Sequence, residues 1–189
     1  DTLDPANDPP IITNTNIYPT YAAFAALDVT GKVHVWGDSS YGGSLPATLK
    51  TTPPPIITNI ASTNGAFAAL DETGKVHVWG GWFAGGQLPD TLDPANDPAN
   101  DPPKIRNIYP TYAAFAALDE SGKVHVWGSH SFGGQLPATL TNSTITKMFS
   151  TSYTFTALTS DGMVVMWGGS TEIGENSSGE KVNVIYNVS

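Results

Sequence analysis

The sequence predicts an all-β fold in which small antiparallel sheets are repeated along the chain. A near-identical unit occurs at 23–37, 66–80 and 114–128, and a more divergent copy occurs at 154–168. These segments are short, rich in Val, Thr, Phe and Trp, and interrupted by Gly, which is typical of strands. The chain also has 19 Gly and 15 Pro among 189 residues, and this composition favours short strands and many turns over long helices.

The spacing of the repeat narrows this fold class to the blades of a β-propeller. One Trp in each copy sets the register, and these residues follow one another at roughly 40–48 positions, a period typical of propeller blades. They are Trp36, Trp79, Trp127 and Trp167. A sheet this small does not stabilise itself, so we expect neighbouring blades to stack and share a core.

The third repeat shows why about three antiparallel strands are expected in each blade. Residues 105–109, 112–118 and 123–127 are strand-like, and Gly122 lies in the turn between the last two, where a left-handed conformation is needed. The middle strand is Ala-rich and apolar on both faces. This pattern is typical of a strand whose sheet is covered on both sides, as stacked blades provide.

The repeats predict how the chain is divided. Residues 1–10 match the linker at 90–103, and residues 185–188 match the start of the third repeat. We therefore expect four full repeats and the first strand of a fifth, forming part of a larger ring or array. The predicted divisions are a linker at 1–10, repeats at 11–55, 56–103, 104–144 and 145–181, and a further strand at 182–189.

The repeat resembles that of the regulator-of-chromosome-condensation family. The shared string is Ala-Leu, three residues, Gly, and then Trp-Gly followed by a Gly-Gly loop, as in 69–86. The short repeat looks most similar to compact bacterial versions, such as the secreted β-lactamase-inhibitor propeller. The resemblance implies propeller blades. The family usually has His four residues before the Leu, where the second repeat has Ala66. The loop also ends in Leu-Pro instead of Leu-Gly, so we do not expect the small-GTPase exchange activity of the family's namesake here.

Composition excludes several functions. The net charge is −9 with eight Lys and Arg and no basic run, so we expect no nucleic-acid partner. The chain has no Cys, which rules out disulfides and thiolate chemistry. No apolar run is long enough to predict a membrane span.

Repeated His, Trp and Asp residues are candidate metal or ligand-binding groups. His34, His77 and His125 share one strand position, but Val165 replaces them in the fourth repeat, which favours packing over metal binding. The Trp set is similarly expected to pack between blades. The Asp-rich linkers lack the Gly-centred spacing of a calcium loop. We therefore predict no metal, no cofactor and no catalytic residues.

The loops after each Trp-Gly differ between otherwise similar repeats. Variable loops on a repeat scaffold often form the binding face. The predicted binding residues are Tyr41, Trp82, Phe83, His130 and Phe132. The alternative for Trp82 is that it folds back onto the adjacent blade. Asn142, Asn176 and Asn187 begin sequons, which would be glycosylated only in a secreted eukaryotic protein.

These observations predict a non-catalytic structural or adhesive module, extracellular or surface-associated. Its partner would be another protein or copies of itself, giving an oligomer or a filament. The alternative is an inhibitor or ligand-binding propeller that uses the variable loops.

Overall fold

The computed structural model describes residues 12–93, 102–169 and 186–187. These residues form four antiparallel sheets joined by turns, loops and short 3-10 turns, with no α-helix among them. The all-β prediction is therefore confirmed. The strands are β1 Ile12–Pro19, β2 Ala23–Asp28, β3 Val33–Gly37, β4 Ile57–Ser62, β5 Ala66–Asp71, β6 Val76–Gly80, β7 Ile105–Pro110, β8 Ala114–Asp119, β9 Val124–Gly128, β10 Ile145–Ser150, β11 Phe155–Thr159, β12 Met163–Trp167 and β13 Tyr186–Asn187.

Each sheet is one blade, and we number the blades 1 to 4 along the chain. The first three contain three strands in chain order, and the fourth contains β10, β11 and β12 with β13 added beside β12. The assignment of 182–189 to a further repeat stays a prediction, and only Tyr186–Asn187 of that segment is described. The linker predicted at 1–10 and most of the linker before blade 3 lie outside the described residues.

The second strand of blade 3 begins later than the sequence predicts, at Ala114 instead of residue 112. Thr111 causes the difference because it closes a turn. Its backbone N–H donates to the Ala114 carbonyl at 2.8 Å, and its Oγ1 accepts from the Ala114 N–H at 3.1 Å. Tyr112 therefore lies in the turn between β7 and β8. Gly122 adopts the predicted left-handed conformation, with φ of 86°.

Each blade has two apolar faces. We call the face with the stacked Phe and Trp the front face, and the opposite face the rear face. In blade 3, Phe115 of β8 lies opposite Trp127 of β9 on the front face, with ring centroids 5.3 Å apart. Ala116 and Leu118 point to the rear face. Both faces are buried, as expected for a strand covered on two sides.

The core lies between blades, where a rear face packs on the next front face. Between blades 2 and 3, Ala68 and Leu70 of the rear face meet Phe115 and Trp127 of the front face. The same arrangement joins blade 1 to blade 2 and blade 3 to blade 4. Small Ala side chains on one side leave room for large aromatic rings on the other, which is how such interfaces reach close packing.

Backbone hydrogen bonds also join neighbouring blades near both ends of the strands. The Ile105 N–H donates to the Gly74 carbonyl of the preceding blade's hairpin turn at 2.8 Å. At the opposite end, the Asn64 N–H donates to the Tyr112 carbonyl at 2.8 Å. Equivalent bonds join the other neighbouring pairs of blades. These bonds fix the position of each blade relative to the next.

Candidate protein-interaction surface

The variable loops begin directly after the third strand of each blade. In blades 1 to 3 the loop opens with a three-residue 3-10 turn, at Ser39–Tyr41, Trp82–Ala84 and His130–Phe132. Each turn ends at a Gly in the left-handed conformation. In blade 1 the Asp38 carboxylate caps the turn by accepting from the Ser40 N–H at 2.8 Å.

The closing Gly anchors each loop to the next blade. Gly85 has φ of 93°, and a Cβ placed there would lie 2.6 Å from Cδ2 of Phe115. The Trp127 indole N–H donates to the Gly85 carbonyl at 2.9 Å. Gly is required here because it tolerates this φ and because any side chain would strike the Phe ring. The interfaces on either side have the same contacts through Gly42 and Gly133.

A second anchor holds the loop to its own blade. The Thr63 hydroxyl, in the turn between the first two strands of blade 2, donates to the Ala84 carbonyl at 2.9 Å. Thr20 and Thr111 make the same bond in blades 1 and 3. The loops are therefore held from two sides, and the residues they expose are positioned by rigid elements.

These loops and the turns between first and second strands place seven aromatic side chains at one end of the blades. We call this set the aromatic surface: Tyr21, Tyr41, Trp82, Phe83, Tyr112, Phe132 and Tyr153. Tyr21 and Trp82 are the most exposed, at 80% and 79%. Single exposed apolar residues are common on proteins, but a set of this size at one end marks a candidate interaction site.

The aromatic rings contact one another in three groups. Tyr21 and Tyr41 have ring centroids 5.5 Å apart in blade 1. Trp82 and Phe83 meet edge to face at 6.4 Å in blade 2. Phe132 lies between Tyr112, at 5.3 Å, and Tyr153, at 5.7 Å. This last group joins blades 3 and 4 through their neighbouring turns.

The predicted binding residues thus have different surroundings. Trp82 and Phe83 are exposed, so Trp82 does not fold back onto a blade. Tyr41 and Phe132 are half-buried and pack against the inter-blade core, although each also contacts the aromatic surface. His130 is exposed in the loop of blade 3, and no aromatic contact joins it to the set. The assignment of these residues to binding stays a prediction.

Sequence reasoning missed Tyr21, Tyr112 and Tyr153. The sequence predicts a strand that begins at Tyr112, and side chains of a strand alternate between the two faces of the blade. The available signal was the Thr-Tyr pair at Thr20-Tyr21 and Thr111-Tyr112, because Thr side chains commonly bond the backbone of a turn.

The repeated His residues lie at the opposite end of the blades, beside the hairpin turns. His77 Nε2 is 2.9 Å from Oδ2 of Asp71, and both side chains are buried. The other Oδ of Asp71 accepts from the Thr73 hydroxyl at 2.6 Å and from the Lys75 N–H at 3.0 Å. The same network holds the turns of blades 1 and 3 through Asp28 with His34 and Asp119 with His125. The His residues therefore stabilise a turn.

Hydrogen bonding lowers the pKa of these carboxyl groups. Burial raises the pKa of Asp28, but bonds from Thr30, His34 and Lys32 outweigh this effect and lower it to about 2. Asp71 and Asp119 have lowered pKa values for the same reasons. In blade 4, Thr159 and Val165 replace the Asp and His together, and the Thr159 hydroxyl donates to Asp161 instead.

This network does not have the arrangement of a nucleophilic hydrolase. The hydroxyl of Ser121 and the imidazole of His125 bind the two oxygens of one carboxylate, that of Asp119, so the imidazole does not accept the hydroxyl proton. Within the described ranges, no group of three or more His, Cys, Asp or Glu side chains is arranged to hold a metal ion.

The predicted sequons have different placements. Asn142 is exposed shortly after the 3-10 turn Ala138–Leu140. Asn187 is in β13, where it pairs with Met163, and Asn176 lies outside the described residues. Among the residues described, none belongs to a helix long and apolar enough to cross a lipid bilayer.

Solved structures with the same fold identify the architecture. Yeast RCC1 (Prp20), in a crystal structure with Kap60, is similar over 88% of this chain and 47% of its own, with a TM-score of 0.57 and 19% identity. The chain has an RCC1-like β-propeller fold. Human WBSCR16 is similar over 86% of this chain and 48% of its own, with a TM-score of 0.52 and 17% identity.

The ectodomain of a receptor kinase has the same fold. The ectodomain of the Physcomitrella patens receptor kinase CR4 is similar over 80% of this chain and 40% of its own, with a TM-score of 0.52 and 15% identity. The chain thus spans about half the length of these structures, or less. No protein-family model and no curated protein matches the sequence. The resemblance expected from the repeat is confirmed for the fold.

Proposed function

We propose that the chain is a non-catalytic protein-interaction module and that its aromatic surface binds the partner. The observation that carries this proposal is the grouping of Trp82, Phe83 and the exposed Tyr residues at one end of the blades. Trp and Tyr are the residues most enriched at the energetic centres of interfaces. Their side chains bring large contact areas and have few rotatable bonds to immobilise.

The rigidity of the loops supports the same function. Loops fixed by the Gly85 and Thr63 contacts lose little conformational entropy when a partner binds. The polar network at the other end is already engaged in holding the hairpin turns, which supports a structural role for Asp71 and His77 and no catalytic one.

Proteins of the same fold support a structural or adhesive role with a protein partner. Yeast RCC1 was crystallised bound to Kap60, and the CR4 structure is the ectodomain of a receptor kinase. For this chain we propose an extracellular or surface-associated location. Labelling of intact cells with an antibody against the chain tests this location, and signal only after permeabilisation contradicts it.

A second candidate is an inhibitor or ligand-binding module that uses the same loops. It is favoured by the difference between the loop turns, which read Ser-Ser-Tyr, Trp-Phe-Ala and His-Ser-Phe on nearly identical blades. The two functions differ in the identity of the partner. An inhibitor must lower the activity of an enzyme that it binds, whereas an adhesive module must leave its partner's activity unchanged.

The test compares partner binding at the two ends of the blades. Affinity capture from the source's surface proteins supplies a partner, whose Kd is then measured with purified components. Trp82→Ala/Phe83→Ala is expected to raise the Kd about 30-fold or more, as loss of a hot spot does. The matched control is Val29→Ala, which removes an exposed apolar side chain (63% exposed) at the hairpin end. Equal binding by Trp82→Ala/Phe83→Ala, or an equal loss in the control, contradicts the proposal.

A further inference from the structure

Blade 2 interrupts the pattern of the aromatic surface. In each flanking blade, a Tyr in the turn between the first two strands contacts the ring at the third position of the 3-10 turn. These pairs are Tyr21–Tyr41 in blade 1 and Tyr112–Phe132 in blade 3. Blade 2 has Asn64 and Ala84 at the two equivalent positions. Two small side chains thus lie between two aromatic pairs, and we call this place the blade 2 gap.

Backbone hydrogen bonds hold the turns on both sides of the gap against it. The Tyr21 N–H donates to the Asn64 carbonyl, and the Asn64 N–H donates to the Tyr112 carbonyl, each at 2.8 Å. The Phe83 ring lies against the next residue of the turn, because a Cβ placed on Gly65 would be 3.2 Å from Cζ of Phe83. The turns of Tyr21 and Tyr112 therefore flank the gap, and Phe83 lies beside it.

Asn64 brings an acceptor without a donor to this gap. Its Oδ1 is buried and has no hydrogen-bond partner among the residues that the structure describes. An unpaired buried acceptor is destabilising, and most buried polar groups have a partner. The Asn64 side chain as a whole is only half-buried. Rotation of its amide toward the surface would therefore let Oδ1 accept a hydrogen bond from an N–H group of a binding partner.

The charge at this end of the blades favours a cationic group. The described turns and loops that carry the aromatic surface contain no Lys or Arg, and their one carboxylate is that of the exposed Asp38. These segments are 20–22, 38–46, 63–65, 81–89, 111–113, 129–137 and 151–154. Lys32, Lys75 and Lys123 lie beside the hairpin turns at the opposite end. A cation that approaches the aromatic surface therefore meets a carboxylate and no positive side chain of these segments.

The exposed rings themselves attract cations. The face of an aromatic ring is electron-rich, and Arg or Lys binds over it, most strongly over Trp. Trp82 and Tyr112 are 79% and 48% exposed. A guanidinium is planar and carries five N–H donors, so it can stack on a ring and donate to an amide oxygen at the same time. Arg therefore fits both the rings and the unpaired acceptor of the blade 2 gap.

We propose that the protein partner inserts an Arg side chain into the blade 2 gap, where the guanidinium stacks on the aromatic surface and donates to Asn64 Oδ1. This inference rests on the proposed function and gives the chemistry of the partner. Asp38 attracts the incoming cation at short range. The net charge of −9 attracts a basic segment from a longer distance and repels an acidic one.

Titration with hexa-arginine, followed by ¹H–¹⁵N spectra, tests this proposal. The matched ligand is hexa-citrulline, in which a neutral urea of nearly the same shape replaces each guanidinium. Hexa-arginine is expected to shift the Trp82 indole signal and to bind with a Kd about 10-fold or more below that of hexa-citrulline. Asn64→Ala removes the acceptor and Asp38→Asn the charge, and each is expected to raise the hexa-arginine Kd about threefold or more. Glu72→Gln is the control, because it removes an exposed carboxylate at the hairpin end of blade 2.

The control separates an Arg site from general attraction to an acidic chain. Equal Kd values for the two peptides, no shift of the Trp82 indole signal, or equal losses in Asp38→Asn and Glu72→Gln would overturn the proposal. Circular dichroism checks that each variant folds.

The captured partner tests the proposed function separately. If Trp82→Ala/Phe83→Ala weakens partner binding but Asn64→Ala and Asp38→Asn do not, the Arg site is wrong and the aromatic surface still binds the partner. Normal partner binding by all of these variants would contradict the proposed function as well.

Discussion

Replacement of Gly85 by Ala probes the contact that joins each loop to the next blade. Gly85 has φ of 93°, a conformation that costs an L-residue roughly 1–2 kcal/mol. The added Cβ would also lie 2.6 Å from Cδ2 of Phe115, whose side chain is 0% exposed. Overpacking of this kind costs about 1–3 kcal/mol. The free energy of unfolding is therefore expected to fall by roughly 2–5 kcal/mol.

Urea unfolding followed by Trp fluorescence and circular dichroism measures this change. Gly65→Ala is the matched control, because Ala22 and Ala113 occupy that position in blades 1 and 3. Its nearest obstacles are Ala84 and the exposed Phe83 ring, at 3.1 and 3.2 Å. The control is expected to change the free energy of unfolding by less than about 0.5 kcal/mol.

A second background separates backbone strain from the clash with the ring. In Phe115→Leu the ring is absent, so the penalty of Gly85→Ala is expected to shrink toward the roughly 1–2 kcal/mol due to φ alone. If Gly85→Ala matched the control, or if its penalty were the same in both backgrounds, the loop would not be docked on the Phe ring as described.

Three further predictions concern the indole bonds and the turn network. Trp127→Phe is expected to lower the free energy of unfolding by about 1–3 kcal/mol, because the buried Gly85 carbonyl loses its donor. Trp36→Phe should lower it less, and equal losses would contradict a stabilising role of the indole bond. The lowered pKa values of Asp28, Asp71 and Asp119 stabilise the fold at pH values above their unfolded pKa near 3.8. The thermal midpoint should therefore decrease as the pH is lowered from about 4 to about 2, and a midpoint that does not change with pH would refute the network. The turn of blade 4 can be copied into blade 2 with the triple variant Asp71→Thr/Thr73→Asp/His77→Val. This variant should lose less free energy of unfolding in urea than His77→Val alone, because the three side chains act together; additive losses would contradict that coupling.

The blade itself could be predicted from sequence because its determinants are local. Gly122 must lie in a turn with positive φ, and the strand around Phe115 is apolar on both faces, so the hairpin and its covered sheet follow from the repeat alone. Four copies then imply stacking, because a single small sheet leaves both faces in water.

The contacts between repeats could not be predicted in the same way. Trp36 and Trp79 have the same local sequence, but Trp36 is 42% exposed and Trp79 is 4% exposed. Among the described residues, a blade packs in front of Trp79 and none packs in front of Trp36. The bond between Asp71 and His77 joins two strands across a hairpin. Its only signal in the sequence is that both positions change together in blade 4, to Thr159 and Val165.

The sequence predicts the candidate site only in part, for a related reason. Trp82 and Phe83 are conspicuous in sequence because they differ from the other loops, and both are exposed. The sequence predicts a strand at Tyr112, because the turn made by Thr111 depends on a side-chain bond with Ala114 that periodicity does not show. Its neighbour Tyr153 comes from another blade, so their shared contact with Phe132 exists only after the blades stack.

Hydrogen exchange at the Trp indoles tests most directly whether the blades stack as described. In ¹H–¹⁵N spectra assigned with Trp→Phe variants, Trp79, Trp127 and Trp167 are expected to exchange slowly, since each donates to a Gly carbonyl of the preceding blade. Trp82, which is 79% exposed, is expected to exchange fast. Exchange of all three of these indoles at the rate of Trp82 would contradict the front-to-rear stacking on which the aromatic surface depends.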